Sequence, residues 1–494
     1  MTRDPLNWGE GELMRRHACN VVAVVMCLAA AGPLAAGRWK VEVEEQVVVC
    51  PPARFGAVPL WAHGAPMLVR SGDNVYATIC QAGEGVAPQH TIQWQLWRRD
   101  RQSWRTICSG DGHNELAPCP LVQVGDGMLY VSSNPAWQAL SPSPMPELAV
   151  CNPVTGQKTR QGVETYPTSM FWYSYRGIAA DPSRGEMVLM NIAGDEYLIS
   201  FRDWKGQWQP AGSLSFPMLS CYPQVGLNRR AVHVLAISNV PESVPQWIAA
   251  MEEARVDSGS VYRHLYYTWT SDILVRPFSK EIELCSADKT AGYIRNLDLH
   301  VDSEGRAHVL YLKQDYENPV IRRRFFPDRT PTSELVYATI LNGQVERQTV
   351  LMDSEGRGAG GAYTAKPMRC EFARLHADAR GNLHIVAMVA WTGGRHMMVA
   401  PLKTDGQIGQ LQTLDVKEPL EVFHTATVRG GSAPSDIIDI LGANDFYNLR
   451  YVRAVLEGPP APAASQDRLS CSGSPGGGDG SAGPAEITGA QTVD

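Results

Sequence analysis

The strongest constraint on this chain is a unit of two alternating apolar segments around a tight turn, which recurs seven times. It reads "PMLVRSGDNVYATI" at 66–79, "PLVQVGDGMLYVSS" at 120–133, "GIAADPSRGEMVLMNI" at 177–192 and "YPQVGLNRRAVHVLAI" at 222–237. It continues as "NLDLHVDSEGRAHVLYL" at 296–312, "HADARGNLHIVAM" at 376–388 and "TATVRGGSAPSDIIDIL" at 425–441. Alternation with a period of two marks half-buried strands, and Gly, Asn and Asp supply the turns between them. A second strand–turn–strand unit follows at 92–108, 147–160, 197–211, 264–285, 335–351 and 397–414. Four of these turns carry Gly-Gln: Gly156-Gln157, Gly206-Gln207, Gly343-Gln344 and Gly406-Gln407.

Four-strand units repeating every ~40–75 residues predict an all-β chain, a seven-bladed β-propeller of antiparallel blades. The seventh unit has only "YNLRYVRAVL" (447–456) after its first hairpin. The alternating segment "RWKVEVEEQVVVC" (38–50) has no partner of its own and fits the missing outer strand. The N-terminal strand would then close the ring and cover two open edges. One helix is expected over 244–255, inserted between strands two and three of blade 4.

Two of the units share the pattern His-x-Asp-x-x-Gly-x-x-His, at His300–His308 and His376–His384. Asp can cap a turn and Gly can take positive φ, so the pattern reads as hairpin scaffold. A metal site duplicated in two blades is not expected. Eleven cysteines are present and none stands in CxxC spacing, so no zinc knuckle is indicated, and no metal or cofactor is expected. Buried free thiols are the simplest reading of Cys50, Cys80, Cys108, Cys119, Cys151, Cys221, Cys285 and Cys370.

The net charge of −7 and scattered cations exclude a basic nucleic-acid face. The triplet Arg322-Arg323-Arg324 reads as a solvated loop. Residues 1–36 have the order of an export signal: Arg15 and Arg16, an apolar run from Ala18 to Ala31, then Pro33 and small residues. Met14 is a candidate start, and cleavage is expected after Ala36, giving a secreted or periplasmic protein free of the membrane. A retained anchor is the alternative. The propeller is assigned to 37–456. Residues 457–494 are rich in Pro, Gly, Ser and Ala, and are expected to be a disordered tail. The mature protein is expected to be a monomer.

Function is sought on the rim where inner strands begin, because loops on a rigid frame tolerate variation. "SGDGHNELAPCP" offers Asp111, His113, Asn114 and Glu115, and "VETYPTSMFWYSYR" offers Tyr166. Tyr222 precedes blade 4, Arg295 blade 5, Arg369 and Glu371 blade 6, and His424 blade 7. Trp137 and Trp247 lie between strands two and three, where an indole can stack on a sugar ring. Trp247 also suits packing of the helix onto blade 4.

The stretch "DGHNELAPCPLVQVGDGMLYVSSN" (111–134) is similar to the opening of secreted BNR-repeat, sialidase-like propellers, some of which resemble ulvan lyases. Strict Ser-x-Asp-x-Gly-x-x-Trp boxes and the Phe-Arg-Ile-Pro signature are absent. The resemblance implies an acidic polysaccharide or glycan as partner. It leaves two chemistries open. In a lyase, His113 and either Tyr166 or Tyr222 would share acid–base work while Arg295 or Arg369 neutralises the carboxylate, with Asn114, His424 and Trp137 also among the substrate-binding residues. In a sialidase-like hydrolase, Glu371 would activate a tyrosine nucleophile. A non-catalytic binding propeller is the third possibility.

Overall fold

The computed structural model describes residues 37–52, 58–61, 64–86, 90–136, 146–163, 175–355, 368–391 and 393–458. Seven four-stranded antiparallel sheets follow one another along Arg38–Glu457, which is the predicted seven-bladed propeller. In six blades the strands pair in chain order. Blade 7 takes its outer strand from the start of the chain: Arg38–Val49 runs antiparallel to Asn448–Glu457. The apolar faces of the blades pack on one another. Val188, Met190 and Ile199 of blade 3 thus share a core with Val225, Val234 and Leu235 of blade 4.

The closing strand also grips its neighbours. Trp39 meets His376 and His384 of blade 6 edge-on, with ring centroids at 5.7 and 5.3 Å. The Trp39 amide donates to Gln412 Oε1 at 2.9 Å, and Gln412 Nε2 donates back to the Trp39 carbonyl. On the other side Glu45 accepts from Arg99 Nε of blade 1 at 2.7 Å.

The repeated His-x-Asp-x-x-Gly-x-x-His motif is a hairpin device. Asp302 Oδ1 accepts from the amides of Glu304 and Arg306, both at 2.9 Å, and Asp378 Oδ1 accepts from Arg380 and Asn382, again at 2.9 Å. Gly305 and Gly381 take φ of +82° and +81°, which a side chain would strain. The second oxygen of each Asp holds the second His through Nε2, at 3.1 Å for His308 and 3.3 Å for His384. The two His of each motif face one another in register across the hairpin. The turn amides and the second His of each motif are thus spent on local structure.

Helix α1, Pro245–Glu253, lies between strands two and three of blade 4 as expected. A second helix corrects the loop expected at the arginine triplet: α2, Pro319–Phe325, ends on Arg322, Arg323 and Arg324. Asn318 caps it by accepting from the amides of Val320 and Ile321 at 3.0 and 3.1 Å, Pro319 fits its first turn, and cations suit its C-terminus. Trp247 is 7 % exposed and packs edge-on against Phe326, so it is a core residue rather than a sugar platform.

Two buried histidines make stability pH-dependent. His233 shares a hydrogen bond of 2.7 Å with the Tyr267 hydroxyl, and His376 donates from Nε2 to the Ser435 carbonyl at 2.7 Å. Burial pushes both down to about 4. The unfolded chain, with histidine near ~6.5, then takes up these protons first. Stability contributed by neutral burial is therefore present above ~6.5 and is lost as pH falls toward about 4. The expected loss is up to ~1.4 kcal/mol per pH unit for each histidine. Urea midpoints between pH 7 and pH 4.5 test this, and a His376→Gln variant should show a shallower slope than the parent.

Candidate functional site

The rim is shaped by breaks in strand register. In blade 4 the inner strand Ser220–Asn228 slips against its neighbour between Cys221 and Gln224. Tyr222 sits in this bulge at φ +50°, just before Pro223. A tyrosine in the left-handed region costs about 1–3 kcal/mol, and such strain gathers where a side chain must be aimed. Asn296 Nδ2 donates to the Tyr222 carbonyl at 2.8 Å and holds the bulge. Blades 5 and 6 break register at corresponding places, between Asn296 and Asp298 and between Cys370 and Phe372.

Tyr222 stands in a chain of aromatic rings drawn from blades 3, 4 and 5. Tyr175 meets it edge-on at 5.2 Å, and Tyr262 stacks on it at 6.5 Å. Tyr293 meets Tyr262 edge-on at 5.5 Å. The Arg295 guanidinium ends the row, 5.7 Å from the Tyr293 ring. Asn239 Nδ2 donates to the Tyr175 hydroxyl at 2.6 Å. Tyr262 is fixed by the residue after it: Arg263 donates to both oxygens of buried Glu242, at 3.2 and 2.6 Å. Glu242 Oε1 in turn accepts from the amides of Ser243 and Val244 at the head of α1, at 3.0 and 3.1 Å.

Burial pushes the Tyr222 hydroxyl far above the ordinary tyrosine range, and Cys221, Tyr175, Tyr262 and Tyr293 push the same way. Burial raises Tyr293 too, against the pull of Arg295. Tyr222 thus keeps its proton at any working pH and can act as a donor. The Arg295 Nε is buried and finds no hydrogen-bond partner among the described residues. An orphaned guanidinium N–H suits an anionic oxygen.

The other sequence candidates are dispersed. His113 lies on the segment joining blades 1 and 2, packed on Gly83, where a Cβ would come within 2.3 Å of its Nε2. Asn114 beside it is buried, and its carbonyl accepts from the Ala136 amide at 2.8 Å. Glu115 is fully buried 3.5 Å from Arg176 Nη1, and burial pushes its carboxyl up to about 7. Arg369 is exposed at the first position of its strand. Glu371 pairs with Arg395 Nε at 3.2 Å, and Arg395 pairs also with Glu421. His424 sits inside the wall and donates from Nε2 to the Leu60 carbonyl at 3.2 Å. Tyr166 and Trp137 lie outside the described residues.

The structure therefore brings Tyr222 and Arg295 into one row and leaves Glu371 and His424 with partners elsewhere. Tyr175, Tyr262 and Asn239 are not singled out by sequence reading. Their signal was weak: polar residues at the ends of strands, on the same rim. A cavity of about 560 Å³ opens at the other end of the inner strands, lined by turns that include Asp181, Asn228, Asp302 and Arg380. Two of its polar side chains are engaged in local structure. Asp181 accepts from Ser183 and the Arg229 amide, and Asn228 donates to the Asp302 carbonyl. Among the described residues no three His, Cys, Asp or Glu side chains gather as a metal site, and no helix is long and apolar enough to cross a membrane.

Fold and site together define a seven-bladed propeller with a tyrosine–arginine rim. No family model matches the chain, and no curated protein matches it. Among solved structures, a polysaccharide lyase of the new family PL25, an ulvan lyase bound to -[GlcA(1-4)Rha3S]-, matches with a TM-score of 0.51. That match has 11 % identity and covers 84 % of this chain and 96 % of that one. The polysaccharide lyase Uly1 follows at TM-score 0.45, with 10 % identity over 84 % of this chain and 99 % of that one. The α-L-arabinofuranosidase of Fusarium graminearum, in complex with an iminosugar inhibitor, has TM-score 0.42 and 12 % identity over 84 % and 98 %. At these identities the likeness establishes the propeller fold alone.

Proposed function

We propose that the chain is an extracytoplasmic, carbohydrate-active propeller that takes an acidic polysaccharide at the rim formed by Tyr175, Tyr222, Tyr262, Tyr293 and Arg295. The observation that carries this reading is the row of four tyrosine rings ended by Arg295, whose buried Nε has no partner among the described residues. Aromatic faces suit the apolar faces of sugars, and a guanidinium suits a uronate carboxylate. The basic-then-apolar leader supports export.

Lyase chemistry is favoured over hydrolysis by one observation: Glu371 is paired with Arg395 at 3.2 Å. A carboxylate engaged in that ion pair is poorly placed to activate a tyrosine nucleophile. In the lyase reading the C5 proton passes to a solvent water, and its bonding pair forms the C4–C5 double bond as the C4–O bond breaks. Arg295 neutralises charge growing on the uronate carboxylate, and protonated Tyr222 gives its proton to the departing oxygen and regains one from solvent.

A panel of acidic polysaccharides tests the proposal, with ultraviolet absorbance of unsaturated uronate and new reducing ends followed together. Absorbance and ends should rise in step. Tyr222→Phe should lower kcat by ~10²–10⁴-fold, and Arg295→Met should lower kcat/KM by ~10²–10³-fold. Reducing ends without absorbance would mean hydrolysis. Silence in both assays, with retention on a glycan affinity gel, would leave a binding module.

A further inference from the structure

We propose that Cys108 and Cys151 are an oxidisable pair, and that their disulfide staples blade 1 to blade 2 at the root of the segment carrying His113. The cross-link stands on its own geometry and does not depend on the proposed glycan chemistry. Cys108 lies on the outer strand of blade 1, Trp104–Ser109, and Cys151 ends the third strand of blade 2, Glu147–Cys151. Their sulfurs are 2.8 Å apart. That is well inside the ~3.5–4.0 Å at which non-bonded heavy atoms rest. The two side chains already face each other, and the sulfurs need to close by under ~1 Å to reach bonding distance.

The surroundings divide the two thiols into attacker and resolver. Lys158 is the sheet partner of Cys151, and its ammonium reaches the Ser109 carbonyl at 2.7 Å and Asp111 Oδ1 at 2.6 Å. A cation beside Cys108 favours its thiolate. The hydrogen bond from Cys151 and the charge of Lys158 hold Cys108 below the ordinary thiol range, while Cys151 is held above it. Cys108 is also half-buried, whereas Cys50, Cys80, Cys119, Cys221 and Cys370 are buried.

With glutathione disulfide as oxidant, the Cys108 thiolate attacks one of its sulfurs and expels one glutathione thiolate, which takes up a proton. Cys151 loses its proton, attacks the Cys108 sulfur of the mixed disulfide and expels the second glutathione. Two protein thiols become one disulfide, and glutathione disulfide is reduced to two thiols. The product would anchor residues 109–115 at one end. The other end is already laddered, with Glu115 N donating to Ile92 O at 3.0 Å and Ile92 N to Glu115 O at 3.2 Å.

The test uses the full chain, incubated with glutathione disulfide, alkylated without reduction, digested and weighed. A peptide joining Cys108 to Cys151 is expected, and both thiols should return to the alkylated set after dithiothreitol. Reduction should lower Tm by about 4 °C or more. In Cys151→Ser, Cys108 should retain one glutathione, because no resolving thiol remains. Full alkylation of both cysteines in the oxidised wild type, or a link from Cys108 to Cys80 or Cys119, overturns the proposal. So does a Cys108 that stays unmodified in Cys151→Ser. These readouts are masses, so silence in the polysaccharide assays leaves them intact.

Discussion

A chain lacking Arg38–Val49 is expected to lose its cooperative fold. The segment supplies ten register pairs to the last strand of blade 7. Each ladder hydrogen bond is worth ~0.5–1.5 kcal/mol net. Removing buried Trp39 costs a further ~3–5 kcal/mol by the usual penalty for truncating a large aromatic side chain. Together these rival the ~5–15 kcal/mol that holds a domain folded. The deletion also cuts the Glu45–Arg99 tie to blade 1 and exposes the edge of Asn448–Glu457 for pairing with other chains. Thermal melts and size-exclusion chromatography should show a broad or absent transition and larger species. Trp39→Ala alone should keep a sharp but lower transition. A deletion variant that melts cooperatively near the parent Tm would refute closure by this strand.

Asp298→Asn is the point substitution expected to cost the most. Asp298 is buried near the axis, where Oδ1 accepts from Arg429 Nη2 and the Leu299 amide, both at 2.9 Å, and Oδ2 accepts from the Leu375 amide at 2.9 Å. Arg429 also donates to the Gly64 carbonyl, and Arg374 donates to the carbonyls of Leu297 and Phe423. Arg374 is fully buried. Desolvation pushes it down to about 10, Asp298 pulls it up, and Arg429 pushes it down. One carboxylate therefore balances two guanidinium groups. Its neutralisation leaves two buried cations uncompensated and turns an amide toward a donor, a loss of ~3–5 kcal/mol. Arg429→Met should cost less, because Asp298 keeps Arg374. The double variant should recover part of the Asp298→Asn loss, since it removes one of the stranded cations. Urea denaturation of the three variants checks the order, and an Asp298→Asn variant as stable as the parent would show that the axis is not held by this charge.

The architecture was legible because its signals are local. Alternation fixes which residues face a neighbouring blade, and Asp-x-x-Gly or Gly-Gln fixes where the chain turns. The unpartnered segment at 38–50 then had one place to go. The missed helix α2 was also written locally, in Asn318-Pro319 ahead of a mixed apolar and basic run, but the charge of the arginine triplet hid it. Rim chemistry was different. His424 and Tyr222 both stand near the start of an inner strand, and nothing adjacent in sequence tells that one donates into the wall while the other is bulged into a row of rings.

By itself, then, the sequence determined the number of blades, their hairpins and the strand that closes the ring, because each depends on residues a few positions apart or on one unpaired segment. Only the tertiary structure decided which polar residues meet. The register breaks at Tyr222, Leu297 and Glu371, the ring contacts from Tyr175 to Arg295, and the charge balance at Asp298 all depend on how separate blades pack. Such contacts join residues far apart in the chain, and a one-residue slip in a strand redirects every side chain beyond it.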